Sequence, residues 1–107
     1  MRIYISGKIT GTDDYIQRFT KAEIDLLVKY EGVEIINPAV YNQQMPATFT
    51  HDEYMTVCMA LLSTCDTIYM LKGWETSPGA KAECEYALFN NYKIISEGKK
   101  DAKIDKV

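Results

Sequence analysis

Short apolar runs alternate along the chain with longer segments whose apolar residues recur at helical spacing. Four runs have the length and apolar character of strands: residues 2–6, 33–36, 66–71 and 93–95. Helical spacing predicts one helix over residues 13–31, a second over 52–64 and a third that begins at Pro78. The pattern therefore predicts strands and helices that alternate from the first residues onward.

Each predicted helix has an apolar face that we expect to pack on a sheet. The apolar residues are Tyr15, Phe19, Ile24, Leu26, Leu27 and Val28 in the first helix, Met55, Cys58, Met59, Leu61 and Leu62 in the second, and Ala80, Cys84, Ala87 and Leu88 in the third. Thr12 or Asp13 can cap the first helix, and Gly32 can end it in a left-handed turn. Ser77 as N-cap and Pro78 at the first helical position mark the start of the third helix.

This alternation predicts an α/β fold, a three-layer doubly wound domain around a parallel sheet of about four or five strands. We expect residues 1–107 to form one domain with a charged tail over about residues 97–107. Such folds bind ligands beyond the carboxyl ends of their strands. Three loops meet there: residues 6–12, the segment from Asn37 onward, and residues 72–79.

Two of these loops leave alternatives open. The turn at residues 7–12, bracketed by glycines, either faces a ligand with its N–H groups or simply joins a strand to a helix. Residues 38–50 form a long polar connection that is either a lid or binding wall, or a mobile surface loop. His51 is the only histidine, and it is more typical of an exposed residue at a helix start than of a catalyst.

The composition argues against several classes of function and site. The net charge of −3 and the absence of a basic stripe argue against nucleic-acid binding. The three cysteines, Cys58, Cys65 and Cys84, lack metal-ligand spacing and are typical of reduced, packed thiols, so we expect neither a disulfide nor a metal site. No apolar run approaches the roughly 18 residues of a membrane span, and we expect no signal peptide. The prediction is a cytoplasmic protein without a membrane partner.

Glu83 is the first functional clue in the pattern. It lies three residues after Ala80 and four before Ala87, at the edge of the apolar face of the third helix. A carboxylate beside a core face costs free energy unless it has partners there. The positive N-terminal end of the helix favours its ionised form. We therefore expect Glu83 to point into the crevice at the carboxyl ends of the strands.

Several segments together resemble the DUF4406 family, within the nucleoside 2-deoxyribosyltransferase-like superfamily. They are residues 4–7 with 9–11, residues 37–38, residues 65–75, and residues 77–80 with Glu83. The run Gly-Trp-Glu-x-Ser-x-Gly-Ala-x-x-Glu over residues 73–83 is specific, whereas the first-strand segment alone is weak. The resemblance extends to about residue 96.

The resemblance implies a deoxyribosyltransferase or a 2′-deoxynucleoside 5′-monophosphate N-hydrolase. Glu83, four residues after Gly79, would be the nucleophile that attacks the anomeric carbon, with Tyr4 holding it in place. Ser77 would bind a 5′-phosphate, which favours a phosphorylated substrate. The further substrate-binding candidates are Gly7, Lys8, Thr10, Trp74 and Gly79. Trp74 either stacks on a base or has only a packing role.

Cys58 departs from the family pattern, because the resemblance places at this position an aspartate that assists protonation of the base. A thiol is a weaker acid than a carboxyl group. The chain is then a slow enzyme, an enzyme with another acid such as Glu53 or Glu75, or a non-catalytic binding protein. Asp66 begins its strand and so lies at the opposite end of the sheet.

The alternative function is a nucleotide-binding protein, for example a phage protein that sequesters a nucleotide or a nucleotide signal. A structural module with a relict pocket is a third interpretation. The resemblance further implies a small-molecule nucleoside or nucleotide as ligand and no cofactor. It also implies a homodimer or higher homo-oligomer in which a neighbouring subunit completes each pocket.

Overall fold

A parallel sheet with helices on both faces organises the chain. The structure is a computed structural model that describes residues 1–98. The strands are β1 (Arg2–Ser6), β2 (Glu34–Ile36), β3 (Thr67–Met70) and β4 (Lys93–Ser96). The helices are α1 (Tyr15–Lys29), α2 (Pro38–Gln44), α3 (His51–Leu62) and α4 (Pro78–Phe89), and Trp74–Thr76 form one turn of 3₁₀ helix. Residues 99–107, most of the predicted charged tail, lie outside the described residues.

The strand order β2-β1-β3-β4 places β1 and β3 at the centre of the sheet. Neighbouring strands are parallel, and Tyr4 pairs with Ile36 of β2 on one side and with Ile68 of β3 on the other. The chain leaves β1 toward β2 and later returns to β3 on the opposite side, so the strand order reverses between β1 and β3. The predicted α/β fold is confirmed, with four parallel strands in the described part of the chain.

Alternate strand residues divide the core into two layers, because successive side chains point to opposite faces of a sheet. The layer under α1 and α2 contains Ile3, Ile5, Phe19, Ala22, Leu26, Ala39, Tyr69, Leu71 and Ile95. The layer under α3 and α4 contains Tyr4, Cys58, Leu62, Cys65, Ile68, Met70, Ala80, Cys84 and Ala87. Tyr4 and Ser6 are two residues apart on β1, so both point toward α3 and α4.

The buried face of α1 differs from the predicted one. Phe19 and Leu26 are buried, but Ile24, Leu27 and Val28 are exposed, Val28 to 82%. Residues 19, 22 and 26 follow the i, i+3, i+7 spacing of one stripe, and the three exposed residues lie on other sides of the helix. Their apolar character alone did not show which side faces the sheet.

The ends of α1 also differ from the prediction. Asp14 is the N-cap residue and makes no capping hydrogen bond through its side chain, so neither Thr12 nor Asp13 caps the helix. The Thr12 hydroxyl instead donates to the carbonyl of Ile9 at 3.0 Å. Gly32 has a φ of +74°, the left-handed conformation expected after the end of this helix. Among residues 1–98, no helix has the length and apolar character needed to cross a bilayer.

Residues 38–44, predicted to be part of a polar connection, form the helix α2. Asn37 is its N-cap: Oδ1 accepts the N–H of Ala39 at 3.0 Å, and Nδ2 donates to Glu23 of α1 at 3.0 Å. Pro38 is in the first turn of α2, as Pro78 is in the first turn of α4. The Asn-Pro pair therefore begins a helix as well as ending β2. Seven residues are too few to show a helical period.

The start of α4 is as predicted. Ser77 is the N-cap, its Oγ accepts the N–H of Ala80 at 3.2 Å, and Pro78 is the first helical residue. Leu88 is 51% exposed, so its predicted place on the buried face is wrong. The fixed start of α4 at the carboxyl ends of β1 and β3 determines which later residues of the helix face those strands.

Replacement of Asn37 by alanine tests the start of α2. Asn37→Ala removes the cap of the Ala39 N–H and leaves Glu23 without its amide partner, so we expect a loss of about 1–2 kcal/mol in the free energy of unfolding. Gln44→Ala, at the exposed end of the same helix, should change it by less than about 0.5 kcal/mol. Urea denaturation followed by circular dichroism measures both, and equal losses would contradict this account of α2.

Candidate active site

A cleft of about 310 Å³ opens beyond the carboxyl end of β1, between the turn that follows it and the N-terminal ends of α3 and α4. Its lining is mostly apolar and includes Ile5, Ile9, Phe19, Pro38 and Met55. Its ionisable side chains are Lys8, His51 and Glu83, together with the phenols of Tyr4 and Tyr54. A volume of this size and a few polar groups in an apolar wall are typical of small-molecule sites.

Glu83 is the most buried charged group of this cleft, and only 5% of it is exposed. Tyr4 donates its hydroxyl to Oε2 at 2.6 Å, and Ser6 donates its hydroxyl to Oε1 at 2.6 Å. Both distances are those of charge-assisted O–H···O⁻ bonds. Because the two donors are alternate residues of one strand, β1 fixes both oxygens of the carboxylate at once.

Burial dominates the electrostatics of Glu83. Desolvation raises the pKa of Glu83 from its ordinary value of 4.5 to about 7, and the hydrogen bonds from Ser6 and Tyr4 each oppose this rise. Burial and the neighbouring Glu83 raise the pKa of Tyr4 well above its usual range, so the phenol stays protonated and remains a donor. Glu83 therefore titrates near neutral pH, as is common for carboxyl groups that perform chemistry.

Cys58 and Tyr54 continue this group of polar side chains along α3. Cys58 is fully buried and belongs to the same packed layer as Tyr4 and Tyr54. Burial raises the pKa of the Cys58 thiol, so the thiol keeps its proton at neutral pH. Tyr54 lies one helical turn before Cys58 and lines the cleft.

The structure brings most of the predicted site residues together. The cleft is lined by Tyr4, Gly7, Lys8, Thr10, Ser77, Gly79 and Glu83. Trp74 is half-buried and packs against the core layer under α3 and α4, and Cys58 lies beneath the cleft wall in the same layer. The packing contact of Trp74 is therefore present, and its stacking on a base stays a prediction.

The other carboxylates that were considered as acids either accept a hydrogen bond elsewhere, are exposed to solvent, or lie at the opposite end of the sheet from the cleft. Glu53 accepts the Thr50 N–H at 2.8 Å in the capping box of α3, and Glu75 is exposed in the 3₁₀ turn. The Asp66 carboxylate accepts the backbone N–H of Arg2 at the amino end of the sheet. Among residues 1–98, no three histidine, cysteine or acidic side chains are grouped so that they could hold a metal ion.

Two glycines of the cleft are explained by close packing. A Cβ on Gly7 would lie 2.9 Å from the Cβ of Leu71, so this residue packs against the segment that directly follows β3, without room for a side chain. A Cβ on Gly79 would lie 3.1 Å from Met55 Sδ and 3.9 Å from His51 Cε1. The missing side chain at Gly79 lets α3 approach α4 and brings His51 to the cleft wall.

Sequence reasoning did not identify several residues of the site. His51, Tyr54 and Met55 of α3 line the cleft, and Ser6 holds the second oxygen of Glu83. The spacing of residues 51, 54 and 55 is that of one helix face, and this face was a usable signal. This face could not be recognised as part of the site, because nothing in the sequence shows that α3 begins beside α4.

Comparison with known proteins gives one match. A family described as "Domain of unknown function (DUF4406)" matches residues 1–96, nearly the whole chain. Neither the curated proteins nor the solved structures contain a match to this sequence. The match covers every strand and helix described above and all the residues that line the cleft.

The pKa of Glu83 makes stability depend on pH in a defined window. Between about pH 4.5 and 7 the folded protein keeps a proton that the unfolded chain has released, so stability falls as pH rises through this window. We expect this single carboxyl to account for a loss of about 3 kcal/mol, which Glu83→Gln abolishes. Urea denaturation at a series of pH values measures it.

Glu85→Gln is the matched control, because Glu85 is exposed on the same helix. This variant should retain the slope of the wild-type protein. If the curves of the wild-type protein and Glu83→Gln ran parallel from pH 4.5 to 7, Glu83 would not carry the raised pKa.

Proposed function

The chain belongs to the DUF4406 family, and we propose that it cleaves the N-glycosidic bond of a 2′-deoxynucleoside or its 5′-monophosphate. We assign the family to the nucleoside 2-deoxyribosyltransferase-like superfamily on the residues quoted above. The observation that carries the proposal is Glu83, a buried carboxylate whose two oxygens are held by Tyr4 and Ser6 at the wall of a cleft. A carboxylate with a fixed orientation and a pKa of about 7 suits nucleophilic attack.

In the first step, the ionised carboxylate of Glu83 attacks C1′ of the deoxyribose. A C1′–O ester bond forms while the C1′–N bond breaks, and the base leaves with that electron pair and takes up a proton. Tyr4 and Ser6 keep the carboxylate aimed at C1′, so little orientational freedom is lost on reaching the transition state.

In the second step, water attacks C1′ and the ester bond breaks. Glu83 recovers its electron pair and charge, the sugar keeps the hydroxyl, and the proton released by water balances the one taken by the base. A second base in place of water would give base exchange. The two outcomes share the same ester and differ only in which nucleophile enters the cleft.

The mouth of the cleft suits an anionic 5′-group. Lys8 supplies a cation, and the positive N-terminal end of α4 lies on the opposite side. The Ser77 oxygen accepts the N–H of Ala80, which leaves its own hydroxyl proton free to donate to a phosphate oxygen. These groups favour a monophosphate over an unphosphorylated nucleoside.

The proton for the departing base has a candidate source in His51. Among the described residues, Glu83 is the one carboxylate that lines the cleft, and Cys58 is buried beneath it. Histidine is the side chain that most readily carries and releases a proton near neutral pH. His51 lies beside Gly79, one turn of α4 before Glu83, and helical side chains lean toward the N-terminal end of their helix. The imidazole and the carboxylate therefore face the same part of the cleft.

One observation favours the alternative, a protein that binds a nucleotide without cleaving it. The cleft has a single carboxylate in the described part of the chain, whereas glycosidases of this type use two. Under this alternative, nucleotide mixed with the protein is recovered intact after denaturation. The assay below separates the two functions.

Replacement of Glu83 tests the nucleophile. The wild-type protein should release free base from deoxynucleoside monophosphates, with kcat/KM rising as pH passes through about 7. Glu83→Gln keeps the shape but removes the nucleophile, so we expect a loss of at least about a thousandfold. Glu85→Gln should retain full activity. Chromatography of the free base measures each rate, and unchanged release by Glu83→Gln would remove this mechanism.

Replacement of His51 tests the proton donor. His51→Gln should slow release of an ordinary base by about a hundredfold, the usual lower range for a general acid. It should have little effect on a deoxynucleotide of 7-methylguanine, whose positively charged base leaves without a proton. Asp52→Asn, at the neighbouring exposed residue, is the control. Equal losses on both substrates would assign His51 to binding instead.

A further inference from the structure

Arg18 of α1 is bonded to the turn that follows β1. Its Nη2 donates to the carbonyl of Lys8 at 2.7 Å and contacts the hydroxyl of Thr12 at 3.4 Å, and its Nε donates to Asp14 at 3.1 Å. The side chain is 30% exposed. A guanidinium that contacts three acceptors at once constrains their positions, because its donors form a rigid fork. The mechanism proposed above assigns no role to Arg18.

Two carbonyl groups of this turn are bonded on the side of α1. The Lys8 oxygen accepts from Arg18, and the Ile9 oxygen accepts the hydroxyl of Thr12 at 3.0 Å and its N–H at 3.2 Å. Lys8, Ile9 and Thr10 line the cleft. Neither Arg18 nor Thr12 is among the described residues of the cleft wall. The turn therefore lies between the cleft and the groups that bond its carbonyls.

The planarity of the peptide unit then sets the direction of two N–H groups. In a trans peptide, the carbonyl of one residue and the N–H of the next point in opposite directions. The Lys8 carbonyl points toward α1, so the N–H of Ile9 points to the cleft side of the turn. The Ile9 carbonyl directs the N–H of Thr10 in the same way. Among residues 1–98, neither N–H donates to another group of the protein, so both are available to a ligand.

We propose that Arg18 is a positioning residue, which holds the Lys8 carbonyl away from the cleft so that the turn presents N–H groups to the 5′-phosphate of the ligand. The inference rests on the proposed function for its ligand class. Without the guanidinium, the peptide unit between Lys8 and Ile9 can rotate and turn its oxygen toward the cleft. A partial negative charge then faces the phosphate in place of an N–H donor, and binding weakens.

The positive charge of Arg18 also favours an anion, apart from any effect on the turn. Its ion pair with Asp14 offsets part of that charge. Two variants separate the effect of charge from the effect of position. Arg18→Ala removes the charge and the fork together, whereas Arg18→Lys keeps the charge and replaces the fork with a single flexible ammonium group.

The first experiment measures binding of 2-deoxyribose 5-phosphate, the sugar product of the proposed hydrolysis, by calorimetry. We expect the Kd to rise about tenfold in Arg18→Ala and about fivefold in Arg18→Lys, because a charge-assisted hydrogen bond is lost or misplaced. Lys21→Ala is the matched control, since it removes a cation of the same helix from an exposed ion pair with Asp25. It should bind as the wild-type protein does. Circular dichroism checks that each variant is folded.

The second experiment compares a deoxynucleoside monophosphate with the same unphosphorylated deoxynucleoside as substrates for base release. In Arg18→Ala, the KM for the monophosphate should rise about tenfold more than the KM for the deoxynucleoside, with little change in kcat, because the lost interaction is with the phosphate in the ground state and the transition state alike. A purely structural role of Arg18 would raise both KM values together.

A wild-type Kd in either Arg18 variant, or equal rises of the two KM values, would overturn the inference. Release of base by the wild-type protein and its loss in Glu83→Gln would then leave the proposed function standing. Weaker phosphate binding in both Arg18 variants, without base release by the wild-type protein, would support the role of Arg18 and remove the proposed function. If the wild-type protein did not bind 2-deoxyribose 5-phosphate, the inference would fall, and base release would decide the proposed function separately.

Discussion

The pair of hydrogen bonds from Tyr4 and Ser6 to Glu83 is the interaction on which the site depends. A carboxylate that is 5% exposed is expensive to bury, and without two donors it would favour the neutral form even more strongly. Both donors belong to one strand and the acceptor to one helix. The contact therefore fixes α4 relative to β1 as well as orienting the carboxylate, and a shift of either element would break both bonds together.

The register of the sheet and the N-cap of α4 bring Tyr4, Ser6 and Glu83 to the same edge of the sheet. Tyr4 pairs with Ile68 in the register of β1 and β3, so the carboxyl ends of the two central strands finish side by side. Ser77 and Pro78 begin α4 just beyond those ends, and Glu83 falls on the second turn of the helix. Gly7 packs against Leu71 at the same edge, without room for a side chain. The position of the cleft thus follows from the general geometry of parallel α/β sheets.

Among residues 1–98, Glu83 is the one carboxylate that lines the cleft, and the buried Cys58 lies in the core layer beneath it. The ionisation of Glu83 therefore depends on its own surroundings and not on a second carboxylate. The environment of Glu83 is dominated by burial and neutral hydroxyl donors, not by an opposing cation, so its ionisation is responsive to whatever binds next to it.

Local sequence determined the strands, the start of α4 and the choice of Glu83 as the residue of interest, because apolar runs, the Ser-Pro pair and a charge beside a core face are short-range signals. It did not determine which side of α1 is buried, that residues 38–44 are helical, or that His51 and Tyr54 line the cleft. Ile24, Leu27 and Val28 are exposed although they are apolar. An apolar side chain favours burial, but the side of the helix that is buried depends on the surface against which the helix packs. The cleft is formed by elements that are far apart along the chain. No local pattern in the sequence shows that α3 approaches α4 at Gly79, because this contact depends on tertiary packing.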